Sequence, residues 1–239
     1  AALGTQTLTF AGGSGNGATQ NATITPTNDT LVEGNETVNV TLGALSSTLN
    51  GQASLGTTAG VVTIDDNDTA SFSVAAATTV TEQGGVQNIV VTLTTTDGGV
   101  GTATLATALT VNVTDAGGGT ATGAGTDYAA LGTQTLTFAG GSGNGATQNA
   151  TITPTNDTLV EGNETVNVAL GALSSTLDGQ ASLGTTAGVV TIDDNDTATF
   201  SIAAATTVTE QGGVQNIVVT LTTTDGGVGT APLAVALTV

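Results

Sequence analysis

The sequence contains no Lys, Arg, His, Cys, Met or Trp, and only one Tyr, four Phe and three Pro in 239 residues. Each absence closes off a class of function. With no cationic side chain there is nothing to set against a phosphate, which excludes nucleic acid as a partner and argues against an anionic membrane surface. Attachment to a membrane would need an anchor outside this chain. With no His or Cys, the usual zinc donors and the nucleophile–imidazole pairs are missing. A glycosidase built on paired carboxylates would lack its aromatic platform and the donors for sugar hydroxyls. The chain therefore reads as a non-enzyme with no small-molecule substrate. Disulfides are impossible, so cysteine usage says nothing about redox compartment. Trypsin-type cleavage sites and the most oxidisable side chains are absent too, which suits an extracellular or cell-surface protein. No run of 18 apolar residues is present to cross a membrane as a helix.

What the chain has is acid. Nineteen Asp and Glu give a formal net charge of −19. An acidic chain poor in aromatics is often disordered. Here, however, 38% of residues are hydrophobic and the mean hydropathy is +0.25, enough Val, Ile, Leu and Ala to build cores. No carboxylate can pair with a basic side chain. Each must face water, accept N–H bonds or hold a cation.

An internal repeat decides the organisation. The stretch that begins at Ala1 begins again at Ala129, an offset of 128 residues that holds to the end of the chain. The two copies differ at six positions: Thr41/Ala169, Asn50/Asp178, Ser71/Thr199, Val74/Ile202, Thr104/Pro232 and Thr107/Val235. The tetrad Asp65-Asp66-Asn67-Asp68, repeated as Asp193-Asp194-Asn195-Asp196, marks a natural boundary. On that reading residues 1–68 are the rear part of one repeat, 69–196 a complete repeat and 197–239 the front part of the next.

The periodicity is two almost everywhere. Phe72 with Val74, Ile89 with Val91 and Leu93, Leu109 with Val111 and Val113, Leu136 with Phe138, Val166 with Val168 and Leu170, and Val190 with Ile192 are spaced to share a strand face. Thr fills many of the outward positions, where a β-branched polar residue suits a solvated sheet. Gly-rich stretches punctuate the runs, and Gly140-Gly141-Ser142-Gly143-Asn144-Gly145 is read as a hairpin loop. About seven strands per repeat predict an all-β fold, tandem antiparallel sandwiches of Ig-like type.

In the complete repeat most of the carboxylates fall into four groups: Glu82; Asp127; Asp157, Glu161 and Glu164; and Asp193, Asp194 and Asp196. Each lies at a strand end, and sandwich loops gather at the two ends of the fold. Calcium takes six to eight oxygen ligands in flexible geometry, the chemistry such loops offer. Solvated acidic loops are the bland alternative, and four of them together with a junctional Asp cluster weigh against it. An EF-hand is excluded, because DDNDTASFSVAA lacks the loop glycine and the final Glu.

The segments TASFSV, VTEQGG, GTDYAALGTQTLTFAGG, NDTLVEGNETVNVTL and VVTIDDND closely resemble the Calx-β family, over the whole repeat. The resemblance implies a seven-stranded Ig-like sandwich with calcium at one end, near the junction with the next domain. It implies Glu82, Asp127, Asp157, Glu161, Glu164, Asp193, Asp194 and Asp196 as the ligands of the complete repeat. Asp29, Glu33, Glu36, Asp65, Asp66 and Asp68 carry over to the first partial repeat, and Glu210 to the last. Asn156 stands where calcium-rich members often have a second Asp, and Asn67 interrupts the terminal Asp run, which suggests about two or three ions rather than four.

The expected function is structural: repeats stacked as a filament, stalk or adhesin, with adjacent repeats as partners and calcium stiffening each junction. The alternative, a calcium-sensing module as in sodium–calcium exchangers, needs an effector the chain does not supply. Lateral self-association through the uncharged stretch from Thr102 to Val113 is weighed against its reading as an ordinary sandwich strand, which is preferred. Triplets such as Asn21-Ala22-Thr23 and Asn112-Val113-Thr114 match glycosylation acceptors, as chance alone produces in a chain rich in Asn and Thr.

Overall fold

The structure, a computed structural model, describes residues 3–99, 101–226 and 229–239. It is all-β: among the described residues, helix is limited to the short 3-10 turns Glu82–Gly84 and Leu177–Gly179. The rear part-repeat carries β1 (Leu31–Val32), β2 (Glu36–Thr41) and β3 (Ala59–Ile64). In the complete repeat follow β4 (Thr69–Val74), β5 (Ala77–Thr81), β6 (Gln87–Thr96), β7 (Thr104–Leu105), β8 (Leu109–Asp115), β9 (Gln134–Phe138), β10 (Thr147–Ile152), β11 (Glu164–Gly171), β12 (Ala181–Leu183) and β13 (Ala187–Asp193). The front part-repeat adds β14 (Thr197–Ile202) and β15 (Val219–Thr224).

Residues 69–196 form a two-sheet sandwich, one sheet ordered β10-β6-β4-β12 and the other β5-β13-β11-β8-β9. The alternating residues turn inward from both. Phe72, Ile89, Val91 and Leu93 from one sheet meet Val111, Val113, Phe138, Val166 and Val190 from the other, all at most 1% exposed. Phe72 and Phe138 cross the gap edge to face at 5.0 Å, the arrangement the ring quadrupoles favour.

Two features refine the antiparallel expectation. β12 pairs β4 in parallel, and β13 pairs β5 in parallel. β4 and β5 are the halves of one strand, which leaves the first sheet after Val74 and joins the second at Ala77. The other correction concerns the 140–145 stretch, which is no hairpin. It links β9 in one sheet to β10 in the other, and its Gly141 and Ser142 exchange backbone bonds with Leu105. Positive φ at Gly141 (86°) and Gly145 (83°) permits this arch. β8 lies between β11 and β9, so residues 109–113 of the Thr102–Val113 stretch are interior strand rather than free edge.

The part-repeats show what each strand depends on. β2–β3 keeps the register of β11–β13, and β14–β15 that of β4–β6. The counterparts of β5, β9, β10 and β12 are not strands there, because the strands they pair with in the complete repeat are missing from the same half. Local bonds survive: Gln6 holds Thr23 through both amide groups, as Gln134 holds Thr151.

Successive repeats also pair. β1 runs parallel to β7 of the complete repeat, Val32 opposite Leu105, and Val160 bridges Leu233 in the same way. At the first junction Thr104 N–H donates to Thr30 O (2.9 Å) and Ala106 N–H to Val32 O (3.1 Å). At the second, Ala234 N–H donates to Val160 O (3.0 Å), while Pro232, in place of Thr104, has no N–H to give. The strand registers put these junctions at opposite ends of the complete sandwich.

Two outcomes follow. Tyr128, the single tyrosine, reports on the complete repeat alone. Phe72→Ala is expected to destabilise its urea transition by about 3–5 kcal/mol, whereas Phe200→Ala, the same change in the front part-repeat, leaves that transition in place. Pro232→Thr is expected to restore one backbone bond at the second junction, raising amide-exchange protection at Ala234 about fivefold.

Candidate metal centre

At the end of the sandwich where β5 and β13 finish, the loops bring five of the sequence-identified carboxylates into two overlapping triads. Glu82, Asp157 and Glu161 have oxygens within 4.8 Å of one another, as do Asp127, Glu161 and Glu164. Glu161 belongs to both. Glu82 comes from the short turn after β5, Asp127 from the loop before Tyr128, Asp157 and Glu161 from the loop after β10, and Glu164 opens β11.

A scaffold of aspartate–amide bonds shapes these loops. Asp157 Oδ1 accepts Leu159 N–H (2.7 Å), which turns the chain toward Glu161. Asp194 accepts Glu161 N–H with Oδ2 and Asp196 N–H with Oδ1, both at 2.8 Å. Asn163 donates to Asp193 Oδ1 (2.6 Å) and accepts from Asp194 N–H (3.3 Å). Asp193 and Asp194 are thus brought to the site's edge as positioners and lie outside both triads. Asp127 is itself held by the Thr122 amide, and Tyr128 donates its hydroxyl to Asp115 at 2.5 Å.

Asp196 stands between repeats. Its Oδ1 accepts Gly226 N–H of the following part-repeat (2.9 Å), while its Oδ2 is buried without a partner. Glu82 Oε2 is orphaned in the same way. Glu82 is 5% exposed, Asp127 7% and Asp196 6%. Buried carboxylate oxygens without donors cost free energy unless a cation or proton reaches them. Burial first, then repulsion from Asp157 and Asp194, pushes Glu82 up to about 7. Burial, a hydrogen bond shared with Asp127 and that group's charge push Glu164 up to about 7, and burial with Asp157 raises Glu161. An oxygen-only donor set of this charge fits a hard divalent cation.

The first junction repeats the scaffold. Asp66 accepts Glu33 N–H (2.8 Å) and Asp68 N–H (3.0 Å), Asn35 donates to Asp65 (3.1 Å), and Asp29 accepts Leu31 N–H (3.0 Å). Asp68 Oδ1 accepts Gly98 N–H (3.1 Å) as Asp196 does Gly226. Asp29, Glu33, Glu36, Asp65 and Asp66 line a cleft of about 300 Å³. A hydrogen bond with Glu36, then burial, pushes Glu33 up to about 7, and burial raises Asp68. No triad forms there among the described residues, which hold no counterpart of Glu82 or Asp127 for this part-repeat. Glu210, the counterpart of Glu82 in the front part-repeat, is exposed and joins no cluster among the described residues.

Sequence reasoning passed over Asn163 and Asn35, whose ladders set the loops, and Asp97. Asp97 has a buried unpartnered Oδ2 and its charge acts on Asp68, so it belongs to the first junction. Its Asp-Gly-Gly setting reads as turn punctuation, and Oδ1 does make that turn to Gly99 (2.8 Å).

Fold and site define an Ig-like β-sandwich module with two overlapping carboxylate triads at its junction end. A family model described as "Calx-beta domain" matches residues 3–68 and 64–196, and the chain belongs to that family. No curated protein matches this chain in sequence. Among solved structures it is similar to the apo-form Calx CBD1 domain, at 22% identity and a TM-score of 0.41, covering 52% of this chain and 96% of that one. It is also similar to the calcium binding domain CBD12 of CALX1.1, at 23% identity and 0.41, covering 56% of this chain and 50% of that one.

The raised glutamates bind more protons folded than unfolded between their ordinary value of 4.5 and about 7. Stability present below that window is lost as pH rises through it. In chelator, the melting temperature of the complete repeat is expected to fall by at least about 5 °C between pH 5 and pH 7.5. A flat profile by tyrosine fluorescence would remove the repulsion.

Proposed function

We propose that this chain is a run of non-catalytic structural repeats whose junctions are clamped by Ca2+, part of an extracellular filament, stalk or adhesin. The observation that carries the reading is the state of Asp196: one oxygen bonds Gly226 of the next repeat and the other is buried with no partner beside the acidic triads. A cation bound there would act on both repeats at once. Glu82, Asp127, Asp157, Glu161 and Glu164 would supply the ligand oxygens, with Asp196 completing the set from the linker. The bound ion supplies the positive charge that the sequence lacks altogether.

Each repeat presents the same acidic rear end and the same docking strand, so the device is repeated along an array. The named function of the solved domain CBD12 of CALX1.1, calcium binding, accords with this assignment. Uniform repeats without a basic, aromatic or nucleophilic site suit a spacer whose task is length and stiffness.

The test is thermal unfolding of the whole chain, read at Tyr128, with calcium and with chelator. Calcium at about 100 times its dissociation constant stabilises by about 2.7 kcal/mol, a rise of roughly 10 °C. Glu161→Gln, which strikes both triads, is expected to abolish most of the rise, and Glu82→Gln about half. No shift at millimolar calcium would overturn the ligand assignment.

A further inference from the structure

The first junction is held by more than strand rungs. The turn at 176–179, between β11 and β12, reaches back to the acidic loop of the preceding part-repeat. Asn35 donates its backbone N–H to Asp178 Oδ2 at 3.1 Å, across 143 residues of sequence. Asn35 is also the hub of its own loop: its side chain donates to Asp65 Oδ1 and accepts Asp66 N–H, each at 3.1 Å. The following repeat thus holds the residue that sets the carboxylate ladder of the repeat before it. The loop keeps the bonds of its counterpart in the complete repeat, where Asn163 holds Asp193 and Asp194.

Gly34 shows how close the approach is. A Cβ at this position would lie 2.9 Å from Asp178 Oδ2 and 3.7 Å from its Cγ. Neither Gly34 nor its counterpart Gly162 has a positive φ, so the backbone does not ask for glycine at either place. At Gly162 a Cβ would meet nothing within 4 Å. Among the described residues, then, no contact inside a repeat requires glycine here. The requirement arises only where a following repeat presents Asp178.

The turn that carries Asp178 is shaped in advance. Leu177 and Asp178 have positive φ (46° and 56°), as do Leu49 and Asn50 in the equivalent turn (49° and 56°). Gly179 N–H donates to Thr176 O at 2.9 Å, as Gly51 N–H does to Thr48 O at 3.0 Å. Asn50 has no loop docked on it among the described residues, so the conformation does not depend on docking. Left-handed backbone is costly for most side chains and tolerated by Asn and Asp. Position 50/178 is one of the six at which the copies differ, and it exchanges Asn for Asp. Both residues combine tolerance of this backbone with a short side-chain acceptor.

We propose that the 176–179 turn is the element by which one repeat recognises the repeat before it. The acceptor side chain at position 178 seats over the glycine of a Glu-Gly-Asn-Glu loop and takes the amide of its Asn. The partner it fits is another repeat of this array, and the same loop recurs as Glu161-Gly162-Asn163-Glu164. The seat lies three residues beyond Val32, whose strand pairs with β7. Strand rungs and seated side chain together fix the junction at two places, which limits rotation about either one. No cation enters the contact, so it stands or falls separately from the calcium reading.

Amide exchange of the whole chain in chelator tests the contact. Asp178→Ala is expected to speed exchange at Asn35 about tenfold, and at Thr104 and Ala106, the rungs to β1, about threefold. Asp178→Asn, the residue of the other copy, is expected to keep all three within about twofold of wild type. Since Asp178→Ala also disturbs its own turn, the second variant lies in the other repeat. Gly34→Ala is expected to reproduce the loss, while Gly162→Ala leaves the three amides as they are. Gly34→Ala added to Asp178→Ala is expected to cost nothing further, because both remove one contact. Unchanged exchange at Asn35, unchanged exchange at Thr104 and Ala106, equal losses from Ala and Asn at 178, or additive losses from the two sites would each overturn the proposal.

Discussion

Everything in this molecule is arranged around nineteen carboxylates with no side chain of opposite charge. Ion pairs, the usual answer to clustered acid, are unavailable, so the fold uses backbone amides. Asp157, Asp194, Asp66 and Asp97 each bond amides one to three residues away or on the neighbouring loop, and those bonds give the loops their shape. The capacity is limited. Where loops from several strands converge, Glu82 and Asp196 have oxygens left over in a buried setting. The residual repulsion is concentrated at one end of the sandwich, where the two acidic triads lie.

That end is also where one repeat meets the next. The linker Asp after β13 reaches an amide of the following part-repeat, and the Val160 segment bridges its 232–234 stretch. Site and junction are therefore built from the same few residues. The arrangement recurs at the first junction with Asp68 and Gly98, so it belongs to the repeat and not to one copy.

Much of this was legible in the sequence. Period-two alternation in TASFSV, NIVVTL and ETVNVAL named the inner faces correctly, because a strand with one dry face cannot be written in any other pattern. The carboxylates of the triads were found from their positions at strand ends. Pairing partners were less visible. Nothing local in β5 says that it runs parallel to β13, and the Gly-rich 140–145 stretch has hairpin composition although it arches between sheets. Asn163 was missed because Asn in a loop is ordinary, and its role arises only once Asp193 and Asp194 are folded against it. The pairing of Val32 with Leu105 spans separate repeats and leaves no signature in either segment.

The presence of proline at position 232, where the preceding repeat has Thr104, makes the two junctions unequal by one backbone rung. In an array pulled along its length, identical couplings would share the load and part at random. Unequal ones part in a set order, the proline-bearing coupling first. A substitution that leaves the core untouched thus sets which coupling is the weaker.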